Sequence, residues 1–178
     1  MDDNDKLQIV KDAIKTYVNF PKEGIIYKDI FGVYQNVTAM RAMNDLLIDH
    51  VKSLKNVDVI VGLDSRGFLL GPILSTELGK PFVPIRKKGK LPGNIKRESY
   101  TLEYGEATVE IQTDSISKGK KVLIVDDLLA TGGTMSAAIK LIEAIGAEVV
   151  ECIVLMELNS LNGRSKISVP VFSLIQYN

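Results

Sequence analysis

The chain has 178 residues, of which 46% are hydrophobic and 25% charged, an ordinary globular balance that allows one domain with a substantial core. Its 22 Lys and Arg equal its 22 Asp and Glu, so no bulk field draws it to nucleic acid or to an anionic membrane, and any anion recognition must be local. The acidic start MDDNDKLQIV lacks the basic and apolar parts of a signal peptide, no apolar run approaches the ~18 residues of a membrane span, and one cysteine excludes an internal disulfide or a multi-cysteine metal site.

These features lead to the expectation of a cytoplasmic protein with a single domain over residues 1–178. Leu7, Val10, Ile14 and Tyr17 stand at helical spacing and predict a first helix that ends before Asn19-Phe20-Pro21. A second helix starts near Thr38 and carries Met40, Met43, Leu47, Val51 and Leu54 on one side; His50 reads as a surface or packing residue of it. VDVIVGL is a strand apolar on both faces, followed by the turn DSRG and a helix to about Leu78, where Gly79 and Pro81 are stop signals. PFVPIR is a short strand. Between Lys87 and Asp114 the composition turns polar, and Gly89, Pro92 and Gly93 mark a mobile loop. TLEY and ATVEIQ flank Gly105-Glu106 as strands, so residues 87–114 read as a flap able to cover a site. VLIVDD is the next strand, TMSAAIKLIEAIG a helix closed at Gly146, and AEVVECIVLMEL and PVFSLI the last strands, with Cys152 a small core residue. Strands alternating with helices predict an α/β fold with a mostly parallel sheet flanked by helices.

The stretch VLIVDDLLATGGT carries the chemistry. Ligands of parallel sheets collect beyond the carboxyl ends of strands, and Asp126 and Asp127 fall where VLIV ends. Adjacent carboxylates repel, so a partner offering hydroxyl donors or a cation makes sense of them, and vicinal ribose hydroxyls fit two neighbouring acceptors. After them Ala130 leads into Gly132 and Gly133, which permit close backbone approach, while Thr131 and Thr134 add hydroxyl donors and the next helix presents its positive end. The pair describes a ribose 5-phosphate, with the diol on the aspartates and the phosphate in the loop. Neither Gly-Lys-Ser/Thr nor G-x-G-x-x-G is present, which excludes a P-loop and a dinucleotide fold.

VLIVDDLLATGGT resembles the phosphoribosyl pyrophosphate motif of the type I phosphoribosyltransferases. A longer similarity to the adenine-specific branch runs in order through FPKEGIIYKDI (20–30), GLDSRGFLLGP (62–72), IRKKGKLPG (85–93), ESYTLEYG (98–105) and ELNSLNGR (157–164). The resemblance implies the fold of that family, with small hood elements near 1–35, and a reaction joining adenine to phosphoribosyl pyrophosphate to give AMP and pyrophosphate, Mg²⁺ being held mainly through substrate. It assigns Arg66 and the DSRG amides to the leaving pyrophosphate, together with Lys87 and the neighbouring Arg86 and Lys90, Arg86 reaching across the interface of a homodimer. It places Tyr27 on the face of adenine and backbone groups around Ile26 on the purine edge. Lys28 stands where many relatives have Arg, replacing a planar bidentate contact by a point charge. Glu103 is the residue the resemblance implies for a proton on the base, and Tyr104 helps close the flap.

Two other readings compete. Another phosphoribosyltransferase would take a 6-oxo purine or orotate, but a 6-oxo purine opposes two acceptors at a site built for a 6-amino group, a mismatch of ~1–3 kcal/mol. A regulator that senses phosphoribosyl pyrophosphate without catalysis would carry a DNA-binding module or basic stripe, and this neutral chain offers neither.

Overall fold

The computed structural model describes residues 1–101 and 105–178, and within them the chain forms two compact units, Met1–Ser53 and Leu54–Asn178. The first unit contains the region expected to form a hood. Its helix α1 (Asp3–Ala13) is capped by the Asp2 carboxylate, which accepts from the Asp5 N–H at 2.8 Å, and Asp3 and Asp5 oppose the positive helix end. It packs on α3 (Val37–Ser53), which buries Ala39, Ala42, Met43, Leu47 and Val51. The spacing that predicted helix through Tyr17 is misleading. The helix stops at Ala13, and Lys15–Val18 forms strand β1 against β2 (Ile26–Asp29), with Tyr17 opposite Tyr27. Thr16, Tyr17 and Val18 favour extended backbone, and the antiparallel partner supplies their hydrogen bonds. A short helix α2 (Phe31–Gln35), not anticipated from the sequence, leads into α3.

The second unit is α/β. Its strands are β3 (Val59–Leu63), β4 (Phe82–Lys87), β5 (Ile95–Thr101), β6 (Glu106–Gln112), β7 (Lys121–Leu129), β8 (Glu148–Leu158) and β9 (Val171–Tyr177). Among the described residues they make one sheet in the order β5-β6-β4-β3-β7-β8-β9. The five strands from β4 to β9 in that order are mutually parallel, and β6 and β5 continue the sheet as an antiparallel pair. Helix α4 (Gly67–Leu78) connects β3 to β4, and α5 (Gly133–Ala144) connects β7 to β8. The two crossovers leave in opposite directions along the sheet. Right-handed connections then put the helices on opposite faces. Val59, Val61 and Leu63 share a core with Met135, Ala138, Ile139 and Ile142 of α5. Cys152 is buried there, where burial pushes its thiol up to about 12.

Two boundaries differ from the sequence expectation. β5 begins at Ile95, so part of the segment read as loop is strand, paired from Ile95↔Gln112 to Thr101↔Glu106. β7 continues through the two aspartates to Leu129, because β8 keeps pairing with it at Leu128↔Met156 and Leu129↔Glu157. The aspartates therefore lie within the last turns of a paired strand instead of just beyond it. Among the described residues no helix is long and apolar enough to cross a membrane.

Candidate functional site

The point where the chain turns from one direction of the sheet to the other lies between β3 and β7, which pair from Val59↔Val122 to Gly62↔Val125. Loops leaving the carboxyl ends of two such neighbours diverge and open a crevice. A cavity of about 480 Å³ sits there, floored by the turn after β3 (Asp64 to Arg66), the end of β7 and the loop into α5. The Asp64–Ser65 peptide bond in that turn is cis. Gly67 lets α4 approach β7 directly, since a Cβ there would stand 2.6 Å from the Val125 carbonyl oxygen. The start of α4 is thereby held beside Asp126.

Of the residues singled out in the sequence, Arg66, Lys87, Asp126, Asp127, Ala130, Thr131, Gly132, Gly133 and Thr134 all line this cavity. Arg86 does not. Its Nε lies 3.1 Å from Asp64 Oδ2 and its Nη1 donates to the Lys90 carbonyl at 3.4 Å, so it braces the turn against the β4–β5 loop. Lys90 is likewise outside the lining, and its backbone N–H donates to Glu110 Oε1 at 2.8 Å. Ile26, Tyr27 and Lys28 belong to β2 in the first unit: Ile26 is exposed, Tyr27 meets Phe20 edge-on with ring centroids 5.1 Å apart, and Lys28 Nζ donates to Thr16 Oγ1 at 2.9 Å. Glu103 and Tyr104 lie outside the described residues.

The electrostatics of the acidic pair explain why it suits a ligand. Asp126 Oδ1 accepts the Asp127 N–H at 2.9 Å, and Asp127 Oδ2 stands 3.0 Å from Arg66 Nε without an aligned hydrogen bond. Burial pushes both carboxyls above the usual range; the neighbouring charge of Asp127 drives Asp126 further, while the Arg66 guanidinium holds Asp127 back. Among the described residues Asp127 Oδ2 has no aligned hydrogen-bond donor. A diol or cation entering the cavity supplies what the protein leaves out.

The loop from Ala130 to Thr134 has a shape that the sequence alone does not disclose. Gly132 has φ +79°, and a Cβ on it would collide with the Gly163 carbonyl, so only glycine fits both the conformation and the space. Gly163 is held under the loop by its neighbour Arg164, whose Nε donates to Glu157 Oε1 at 3.0 Å and whose Nη1 donates to the Val171 carbonyl at 2.7 Å. Arg164 Nη2 also pairs with Glu157 Oε2, and Ser173 Oγ donates to the same oxygen. Site reasoning from the sequence left Gly163, Arg164 and Glu157 without a role, although ELNSLNGR was in plain view; the signal was a glycine next to an arginine after a long strand. Glu110 was also missed. It is fully buried and collects the N–H groups of Lys90 and Leu91 at 2.8 and 2.9 Å and Arg97 Nε at 3.1 Å. Against the cost of burial, these donors hold its carboxyl down at about 2. Among the described residues no group of three or more His, Cys, Asp or Glu is placed to hold a metal ion.

The sequence profile of the phosphoribosyl transferase domain matches residues 33–177 of this chain. The adenine phosphoribosyltransferase of Homo sapiens is 50% identical over 175 residues, 97% of this chain and 97% of that protein. Its counterpart from Drosophila pseudoobscura pseudoobscura is 52% identical over 174 residues, 97% of this chain and 96% of that protein. Among solved structures, adenine phosphoribosyltransferase from Saccharomyces cerevisiae, complexed with an imino-altritol bisphosphate and adenine, superposes with TM-score 0.90 at 43% identity, covering 96% of this chain and 99% of that one. The Trypanosoma brucei enzyme in complex with AMP, pyrophosphate and ribose-5-phosphate gives TM-score 0.87 at 34% identity, covering 96% of this chain and 79% of that one.

Proposed function

This chain belongs to the phosphoribosyl transferase family, and from that premise we propose that it transfers the 5-phosphoribosyl group of phosphoribosyl pyrophosphate to adenine, releasing AMP and pyrophosphate. One observation carries the reading. A mutually repelling acidic pair and a glycine-threonine loop at a helix N-terminus share the lining of one cavity at the sheet's reversal point.

In this reading the amides and hydroxyls of Ala130 to Thr134 take the 5-phosphate, and Asp126 and Asp127 accept from the ribose hydroxyls. Arg66, the 64–67 turn and Lys87 hold the pyrophosphate, with Arg86 and Lys90 on the adjoining basic segment. Ile26, Tyr27 and Lys28 read the base: backbone acceptors match the 6-amino group of adenine, and the Tyr27 ring lies on the purine face. A bond forms between the purine N9 and the anomeric carbon as the bond to the pyrophosphate oxygen breaks, through a transition state with oxocarbenium character. Glu103 takes or returns the proton that moves on the base, and Tyr104 helps exclude water. The negative field of the aspartates favours positive charge developing on the ribose.

The donor set fits Mg²⁺ held mainly through substrate. The two repelling carboxylates gain from a nearby cation, and their placement suits contact through ribose oxygens or water more than a dedicated cage. When bound, the ion would neutralise charge on the departing pyrophosphate. We further place the reaction in the cytoplasm and assign a homodimer, the latter supported by the basic segment 86–90.

Incubation with phosphoribosyl pyrophosphate, Mg²⁺ and each purine in turn, scored for nucleotide and pyrophosphate, tests the proposal. Adenine is the expected acceptor, and comparable turnover of hypoxanthine or guanine would reject the base assignment. Nucleotide formation with no purine would reject the reaction.

A further inference from the structure

Tyr100 reaches the phosphate loop from the far edge of the sheet. It lies on β5, the edge strand, yet it lines the cavity, and a Cβ on Gly133 would stand 2.9 Å from its Cδ2. Its phenol oxygen accepts from Thr134 Oγ1 at 2.9 Å. A second link ties the same strand to the same helix, since Lys140 Nζ of α5 is 3.4 Å from Glu98 Oε1 of β5. Strand and loop thus meet at a hydroxyl that the loop would offer to a phosphate.

A threonine hydroxyl has one proton to give. In the arrangement described, Thr134 directs that proton to Tyr100, so it cannot also donate to a phosphate oxygen. The phenol has a proton of its own. If Tyr100 donates to Thr134 Oγ1 instead, the threonine keeps its place and its proton turns to the ligand.

We propose that Tyr100 is a positioning residue for the 5-phosphate: on binding, the Tyr100–Thr134 hydrogen bond reverses, and the phenol, fixed by its ring against Gly133, aims the Thr134 hydroxyl at a phosphate oxygen. The inference rests on the proposed function in taking the loop as the phosphate site. Chains of hydroxyls polarise one another, so a charged acceptor at one end strengthens the bond at the other. Gly133 has a part in this, because any side chain there would push the ring away. The 5-phosphate does not react. A contact held alike in ground and transition states raises KM on its loss and leaves kcat unchanged, and that is the signature expected of a hydroxyl that only orients the phosphate.

The test compares AMP with adenosine, which lacks the phosphate, by calorimetric titration of the parent, Tyr100→Phe, Thr134→Val and the double variant. Tyr100→Phe keeps the ring and removes only the hydroxyl. It is expected to weaken AMP roughly 3- to 10-fold, to raise KM for phosphoribosyl pyrophosphate by a similar factor with kcat within about twofold, and to leave adenosine within about twofold. In the Thr134→Val background the same change should add less than about twofold, because its effect passes through the threonine. Parent-like AMP binding by Tyr100→Phe overturns the proposal, as does an equal loss for adenosine, which indicates packing alone. A full loss in the Thr134→Val background also overturns it, showing a phenol that contacts the ligand by itself. If the parent binds AMP no tighter than adenosine, the phosphate assignment itself fails and the inference falls with it; if only the Tyr100 arms fail, the proposed function stands.

Discussion

Glu110 and the Asp126–Asp127 pair put carboxylates into the same unit of the molecule under opposite conditions. Glu110 is fully buried but meets backbone N–H groups and a guanidinium, and its carboxyl is held down at about 2. The aspartates have the Arg66 guanidinium and a few neighbouring backbone N–H groups, yet burial pushes both carboxyls up. A buried acid with its donors in place is part of the scaffold; here Glu110 pins the loop after β4 that carries Lys88 and Lys90. A buried acid left short of donors is costly alone and is best explained by what binds it.

The most severe way to break the contrast is to neutralise the aspartates together. Asp126→Asn with Asp127→Asn turns two acceptors into amides, and the expected loss of AMP affinity is roughly 100- to 1000-fold, less than the product of two independent charged hydrogen bonds. Titration calorimetry reads the affinity, and a scanning calorimeter should show no matching loss of stability. A protein that binds AMP normally but melts far lower would make the pair structural and erase the distinction from Glu110.

Thr131→Ala probes the same cavity at an exposed position of the loop. Removing one hydroxyl donor to a charged oxygen costs ~1.5–3 kcal/mol, roughly 10- to 150-fold in AMP affinity. Adenosine should be nearly unaffected. Unchanged AMP binding would remove Thr131 from the phosphate site.

Glu110→Gln works on the other side of the comparison. The amide keeps one acceptor oxygen but opposes Arg97 and the converging N–H groups, an expected stability loss of ~1.5–3 kcal/mol. The pH dependence has a definite sign. A carboxyl lowered from its ordinary 4.5 to about 2 contributes stability that is fully present above about 4.5 and lost as pH falls towards 2. Urea melts of the parent should weaken across that window, and those of Glu110→Gln should be flatter there. Equal slopes would show that Glu110 is satisfied equally in the unfolded chain.

How much of this the sequence disclosed depends on the range of the interaction that decides each feature. The run Val122 to Val125 and the Thr-Gly-Gly-Thr that follows are local signals, and they located the carboxyl end of β7 and the loop into α5. The end of β7 was misjudged because only the pairing of Leu128 and Leu129 with β8 keeps the chain extended past the aspartates. Tyr17 fitted a helix by spacing, but its partner Tyr27 is on another strand. Gly163 under Gly132, Glu110 under the 89–91 loop and Tyr100 against Gly133 are all contacts between segments distant in sequence. No periodicity reports them. Residue types were legible; the pairing of a donor with a particular acid was not.

The smallest effect is also the most discriminating, because it carries a sign that the scaffold reading forbids. Asp126 is raised by burial and by the charge of Asp127, so its ionised form destabilises the free protein. A carboxyl whose folded pKa exceeds its ordinary 3.8 gives most stability when protonated, and that stability is lost as pH rises from 3.8 through the folded value. Asp126→Asn makes the neutral form permanent while its remaining carbonyl oxygen can still accept the Asp127 N–H, so the unliganded variant should be more stable than the parent near neutral pH. Relief of strain at a binding site typically returns ~0.5–1 kcal/mol, or about 1–4 °C in Tm for a chain of this size. The gain should shrink as the pH is lowered towards 4, where the parent takes up the proton, and Glu110→Gln should show no such gain at any pH. A variant less stable than the parent near neutral pH would mean that the Asp126 charge is satisfied within the protein, and the pair would then belong with Glu110.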